Sequence, residues 1–515
     1  MPRFDRRRFL QCLLAGSAVS ALPPLWAKPV FGADPFVLGV AAGYPTPDGI
    51  ALWTRLAPAP LAPGGGMDPL AVPVRWEIAH DAEFAQLADT GLTYAEPAWA
   101  HSVHVETARL APARDYWYRF HAGDATSPVG RFRTAPAADA TPDALRFAFV
   151  SCQQYEQGYY AAYRHIVADD PELLVHLGDY IYESSWGKDH VRRHEAAEPV
   201  TLEQYRARYA CYKLDRDLQA AHAACAWILT WDDHEVENDY ANDHAEDLDD
   251  PRWMLARRAM AYQACYEHQP LRRAMTPLGP DLRLHTRVDY GTLARFHVLD
   301  TRQYRSPQPC PKAGRGGSNL IEHCAAREER AASMLGAQQE AWLAAGLAGD
   351  AAPRWHLLAQ TTRMAQADNQ AGAGELYYSD SWDGYPAARQ RLLETLRDTR
   401  ATNPVVLGGD VHAFWVNDLK TDFAREDGPV LASEFVTTSV TSQPPPETVM
   451  QTAAAEGPHV RLATGLYRGY VRVNLTASRF SADLRALDDV RRADSACRTH
   501  STWVVEEGRP GAQPA

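Results

Sequence analysis

Four short segments of this chain carry side chains suited to metal chemistry: Ser151-Cys152-Gln153, Gly178-Asp179-Tyr180-Ile181-Tyr182, Trp231-Asp232-Asp233-His234-Glu235 and Gly409-Asp410-Val411-His412. Thiolate from Cys152, phenolate from Tyr182 and imidazole from His412 form a mixed anionic set suited to ferric iron. Asp233, Asn238 and Asp410 offer oxygen alone, the preference of calcium or magnesium. Asp179 is placed to bridge the two ions. Such a pair can bind an attacking hydroxide and clamp phosphate oxygens in line. His234 then serves as general acid toward the leaving oxygen, or stabilises the transition-state charge.

Each segment alone has a plainer reading. Gly178-Asp179-Tyr180 is a common turn, the Asp232–Glu235 run would suit a solvated loop, and His412 a satisfied core histidine. Tyr182 alters the first, because Asp179 and Tyr182 can point back into one turn. Unpaired, the three carboxylates around His234 would repel one another. Asp410 and His412 alternate along what reads as an extended segment, which sends both side chains the same way.

What positions them is a set of apolar runs, Arg146 to Val150, Leu173 to Leu177, Ala226 to Leu229 and Pro404 to Leu407. Short apolar runs bounded by loops read as buried strands. In open α/β sheets functional groups gather beyond the carboxyl ends of such strands. The four turns therefore read as one centre assembled from across the chain.

The chain has 515 residues, 46% hydrophobic and 10% aromatic, enough for two to four globular domains. Its net charge of −13 leaves no footprint for nucleic acid. Any phosphate site must therefore be locally cationic, and bound metal ions would supply that charge. Residues Pro136 to Pro142 read as a linker. Before it, period-two segments recur at Leu52 to Leu56, Val72 to Ala79, Ser102 to Glu106, Tyr116 to Phe120 and Gly130 to Thr134, as in a small β-sandwich. Leu110-Ala111-Pro112 followed by Tyr116-Trp117-Tyr118 resembles the corner of a fibronectin type III module. Beyond the linker, strand-like runs alternate with helical ones at Tyr159 to Ala168, Leu202 to Tyr212 and Ala337 to Leu347.

Asp5-Arg6-Arg7-Arg8-Phe9-Leu10 is a twin-arginine pattern ahead of a short apolar stretch, Cys12 to Leu22. That stretch is too short to span a bilayer, and no later segment is long enough. The expectation is export in folded form by the twin-arginine machinery, to the periplasm or the medium. Without Cys12 seven cysteines remain, so an oxidising compartment should leave one unpaired, with Cys152 the natural candidate. Cys310 and Cys324 flank a Gly-rich loop and are the expected bridge. No Gly-x-Ser-x-Gly elbow, Walker loop or His-Glu-x-x-His occurs, which argues against serine hydrolases, nucleotide-driven enzymes and zincins.

The order Gly178-Asp179-x-x-Tyr182, then Asp-His-Glu, then Gly-Asp-x-His is similar to the purple acid phosphatase pattern. It more closely resembles the PhoD-like alkaline phosphatase and phospholipase D family, as do Leu52-Trp53-Thr54-Arg55-Leu56, Leu299-Asp300-Thr301-Arg302-Gln303-Tyr304-Arg305 and Ser381-Trp382-Asp383-Gly384-Tyr385-Pro386. The resemblance implies a signal peptide over 1–33, a fibronectin III-like all-β sandwich over 34–136, and an α/β metallophosphoesterase domain over 142–510 with two sheets between helices. It implies Cys152, Asp179, Tyr182 and His412 as iron ligands, and Asp179, Asp233, Asn238 and Asp410 near calcium, with Asp239 or Asp232 as substitutes for Asn238. A C-terminal segment near the site is also implied. The expected activity is release of phosphate from phosphomonoesters by metal-bound hydroxide. A phospholipase D-like phosphodiesterase is the alternative, with space for a second substituent shaped by Trp382 to Pro386 or the Trp503 region. An inactive, metal-stabilised adhesion protein is the remoter one.

Overall fold

The computed structural model describes residues 29–349 and 353–515. The twin-arginine pattern, the apolar stretch behind it and Cys12 lie outside the described residues. Leu173–Leu177, Ala226–Thr230 and Pro404–Gly408 are buried at every position. Strands covered on both faces read as continuous apolar runs, which is why these were visible in the sequence.

Ala144–Val150, Leu173–Leu177 and Ala226–Thr230 are parallel neighbours at the middle of a ten-stranded sheet. On one side it continues antiparallel through Arg468–Thr476 and Arg479–Leu487 to the C-terminal strands Cys497–Glu506 and Arg509–Pro514. On the other side Val40–Thr46 runs parallel to Ala226–Thr230, with Ala42 opposite Ala226, and Gly49–Arg55 and Ser102–Glu106 follow. A seven-stranded sheet has Ala294–Val298, Trp355–Ala359, Pro404–Gly408 and Val430–Val436 in parallel succession.

The two sheets face one another. Phe147 meets Phe296 edge to face at 5.4 Å between ring centres, and Phe435 meets Phe480 at 5.1 Å. Helices Gly336–Leu347 and Pro386–Asp398 cover the far side of the second sheet, burying Leu343, Leu392 and Leu396 in one cluster with Leu358 and Val406. Leu202–Lys213 packs on Pro251–His268 beside the long sheet. Thr201 starts the first of these with a capping box closed by Gln204, and Asp250 caps the second.

A smaller sheet holds Val72–Ala79, Leu87–Ala95, Asp115–Ala122, Ala125–Thr126 and Gly130–Arg133. Asp115–Ala122 alternates buried and half-buried positions, the mark of a sheet with one face on the core. The strands ahead of the linker thus divide between two sheets, and Val40–Thr46, Gly49–Arg55 and Ser102–Glu106 extend the long one. None of the described helices is long and apolar enough to cross a membrane. Cys310 and Cys324 are bridged. Five other described cysteines, Cys152, Cys211, Cys225, Cys265 and Cys497, are free, where the odd count had suggested one.

Candidate metal centre

The four turns do converge, and close backbone approach is what lets them. Gly178 has φ +100°, and a Cβ there would sit 2.7 Å from Asp232 Cβ. A Cβ on Gly409 would sit 2.6 Å from Ser151 Cβ. Only glycine fits between these crossing strand ends. The Cys152 N–H donates to the Gly178 carbonyl at 3.1 Å and the Gln153 N–H to the Asp179 carbonyl at 3.1 Å. Cys152, Asp179, Asp410 and His412 have φ of 60°, 57°, 64° and 53°. Left-handed backbone at a non-glycine residue costs on the order of 1–3 kcal/mol and clusters at functional sites. The extended Asp410–His412 segment expected from alternation is therefore a turn; the strand ends at Gly408.

Cys152, Asp179 and His412 each bring a donor atom within 4.8 Å of the others. Tyr182 Oη donates to Asp179 Oδ2 at 2.8 Å and lies 3.2 Å from His412 Nε2. His412 Nδ1 donates to the Gln443 carbonyl at 2.8 Å, which turns the Nε2 lone pair inward. Asp179, Asp233 and His234 form a second group within 4.8 Å, so Asp179 belongs to both. Asp410 and Asn238 line the same cavity, and Asp410 is not a member of these tight groups. Asp410 Oδ2 accepts from the Thr362 hydroxyl at 2.6 Å.

Asp179 Oδ1 and Asp233 Oδ1 are buried with no hydrogen-bond partner among the described residues. Burial and the neighbouring Asp179 carboxylate push the Cys152 thiol well up. Burial, then the acids around it, pushes Asp179 well up too. Orphaned buried oxygens beside a thiol, a phenol and an imidazole are a donor set that cations satisfy, so the residues present fit a mixed metal pair.

Two alternatives for the oxygen ligands separate here. Asp232 Oδ1 is engaged by the Arg302 Nε and by the Thr361 hydroxyl at 3.0 Å, and its Oδ2 is buried without a hydrogen-bond partner among the described residues. Asp232, like Cys152 and Tyr182, does not line the cavity. Asp239 does line it, with its Oδ2 accepting the Ser318 N–H at 2.9 Å. Burial, then Asp380 and Asp233, pushes Asp239 up to about 7.

Three supporting groups carry roles the sequence did not assign, although Glu235 and Arg302 stand in motifs quoted from it. Glu183 Oε2 lies 2.7 Å from His234 Nδ1. Burial lowers the His234 imidazole, yet Glu183, Asp233 and Asp179 outweigh it and raise it well above its usual range. Arg302 is fully buried and forks onto Asp380 at 3.0 and 2.6 Å, 3.4 Å from Asp233 Oδ1. Glu235 accepts the N–H groups of Asp179, Tyr180 and Asp232 at 3.2, 2.6 and 2.9 Å, tying two of the turns together. Glu183 directly follows Tyr182, which was the available signal; nothing local marks Asp380, 78 residues from Arg302.

The centre opens into a cavity of about 760 Å³. Asp179, Asp233, His234, Asp410 and His412 form its floor, and Trp186, Pro445, Val449 and Met450 supply apolar wall. Neither Trp382 to Pro386 nor Trp503 lines it. Trp382 is buried with its Nε1 on Gln360 at 3.1 Å. The C-terminal strands lie at the far edge of the long sheet and line no part of the cavity, so they do not form the implied segment near the site.

Residues 147–484 match the family model described as PhoD-like phosphatase, and residues 21–136 match its N-terminal domain. The chain is 42% identical over 530 residues to alkaline phosphatase D of Bacillus subtilis (strain 168), covering 99% of this chain and 88% of that one. It also superposes on a solved structure titled Structure of PhoD with a TM-score of 0.89, at 42% identity, over 95% of this chain and 93% of that one.

Proposed function

The chain belongs to the PhoD-like phosphatase family and is a phosphoric ester hydrolase, and we propose that it releases phosphate from phosphomonoesters at this metal centre. The observation that carries the reading is the pair of donor groups that share Asp179 at the floor of one cavity. Cys152, Asp179, Tyr182 and His412 would hold iron as Fe3+. Asp179, Asp233 and Asp410, with Asn238 or Asp239, would hold calcium as Ca2+. When bound, these ions supply the positive charge and the activated water that phosphoryl transfer needs.

The remaining work falls to the chain itself. His234, oriented through Nδ1 by Glu183 at 2.7 Å, delivers a proton to the departing ester oxygen. The Gln443 carbonyl fixes the His412 tautomer.

The two facing sheets between helices support a metallophosphoesterase layering; a fibronectin III-like sandwich before the linker at 136–142 would rest on the smaller sheet, since three strands of that region extend the long one. The Cys310–Cys324 bridge supports a disulfide-permissive compartment, in line with twin-arginine export to the periplasm or the medium. Metal-loaded protein should turn over p-nitrophenyl phosphate faster than its bis ester. A diester preference would move the reading to the phosphodiesterase, and no turnover of either would leave the inactive, metal-stabilised protein.

A further inference from the structure

A phosphoric ester brings negative charge into a cavity already crowded with carboxylates. Among the described residues lining it, beside His234 and His412, two are arginines, Arg315 and Arg363. Arg315 is half exposed and paired with Glu246. Arg363 is buried and anchored. It follows Thr362, whose hydroxyl holds Asp410. Its Nε donates to the Ala365 carbonyl at 3.1 Å and its Nη2 to Asp383 Oδ2 at 3.1 Å. Its guanidinium stands 4.7 Å from the centre of the Trp415 ring.

Asp383 is itself locked, accepting from Arg389 at 2.6 Å and from the Ala367 N–H at 3.0 Å. Nη1 of Arg363 has no hydrogen-bond partner among the described residues. It is also not one of the fully buried polar atoms left unpaired, so it keeps accessible surface in a residue that lines the cavity. A guanidinium fixed on two edges with a third free loses little further freedom on meeting an anion.

We propose that Arg363 is a substrate-binding residue that donates from Nη1 to a terminal phosphoryl oxygen and so favours dianionic monoesters over diesters. This rests on the phosphoric ester hydrolase reading above. A monoester presents two charges and a free terminal oxygen to the contact. A diester carries one charge, with a substituent in place of one of the monoester's three terminal oxygens.

The test compares wild type, Arg363→Gln and Arg363→Lys, with folding checked by thermal melting. Kinetics use p-nitrophenyl phosphate and bis(p-nitrophenyl) phosphate, with inorganic phosphate as inhibitor. Arg363→Gln should raise the monoester KM and the phosphate inhibition constant by about 10- to 100-fold, and the diester KM by less than about 3-fold. Arg363→Lys should fall between the two. If Arg363→Gln does not fold, Arg363→Lys decides, because its single ammonium cannot serve Asp383 and ligand together. An unchanged monoester KM and phosphate constant would overturn the proposal, as would equal losses on both esters. Wild type inactive on both esters would instead overturn the hydrolase reading, and calorimetric binding of inorganic phosphate to the same variants would still decide on Arg363.

Discussion

Glu183 holds His234 by its Nδ1 at 2.7 Å and, with its other oxygen, the backbone N–H of Asn238 at 3.0 Å. One carboxylate, adjacent in sequence to a candidate iron ligand, thus orients the candidate acid and one of the candidate calcium positions. Glu183→Gln keeps the shape and removes the charge. It should lower kcat by about 10- to 100-fold with little change in KM. The loss should be larger for phenyl phosphate than for p-nitrophenyl phosphate, because the poorer leaving group needs the proton more. Equal losses on both substrates would remove the acid role from His234.

Cys152→Ser should lower iron content and turnover together, while leaving the oxygen-only ion in place. The thiol needs a cation to ionise, since burial and Asp179 push it well up. Elemental analysis of the purified variant beside its turnover reads both. Full activity with unchanged iron would remove Cys152 from the centre.

Arg302→Met leaves Asp232 buried without its cation, while Asp380 keeps Arg305 at 2.6 Å. Breaking a buried pair from one side typically costs roughly 3–5 kcal/mol. Urea unfolding should register a loss of that order. The double change with Asp232→Asn should recover part of it, because the uncompensated charge is then gone.

His176 is wholly buried in strand Leu173–Leu177, with both ring nitrogens unpartnered among the described residues. Burial lowers it from the usual 6.5 to about 3. The folded state therefore binds its proton less readily than the unfolded chain. Its contribution to stability is whole above pH 6.5 and is lost progressively as pH falls toward 3. His176→Leu should flatten that part of the stability curve, measured by urea unfolding between pH 7 and about 4. An unchanged slope would show that other groups govern the acid side.

Much of this architecture is legible in the sequence because the central strands are buried on both faces, so Leu173–Leu177 and Pro404–Gly408 stand out as unbroken apolar runs. The residues placed after them are legible for the same reason. The turn at Asp410–His412 is not, because alternating residues look the same in an extended segment and in a left-handed turn. Arg302 and Asp380 meet only through the tertiary fold. The pairing of Val40–Thr46 with Ala226–Thr230 runs through backbone groups, which carry no side-chain signature. Trp382 reads as a wall for substrate and is core.

The central claim is that phosphoric ester hydrolysis depends on the two donor groups sharing Asp179. The most direct measurement strips the protein of metal with chelator and follows p-nitrophenyl phosphate turnover as iron and calcium are restored, singly and together. Activity lost on stripping and regained fully only with both ions, in wild type but not in Asp179→Ala, is the expected result. Turnover that survives complete removal of metal would contradict it.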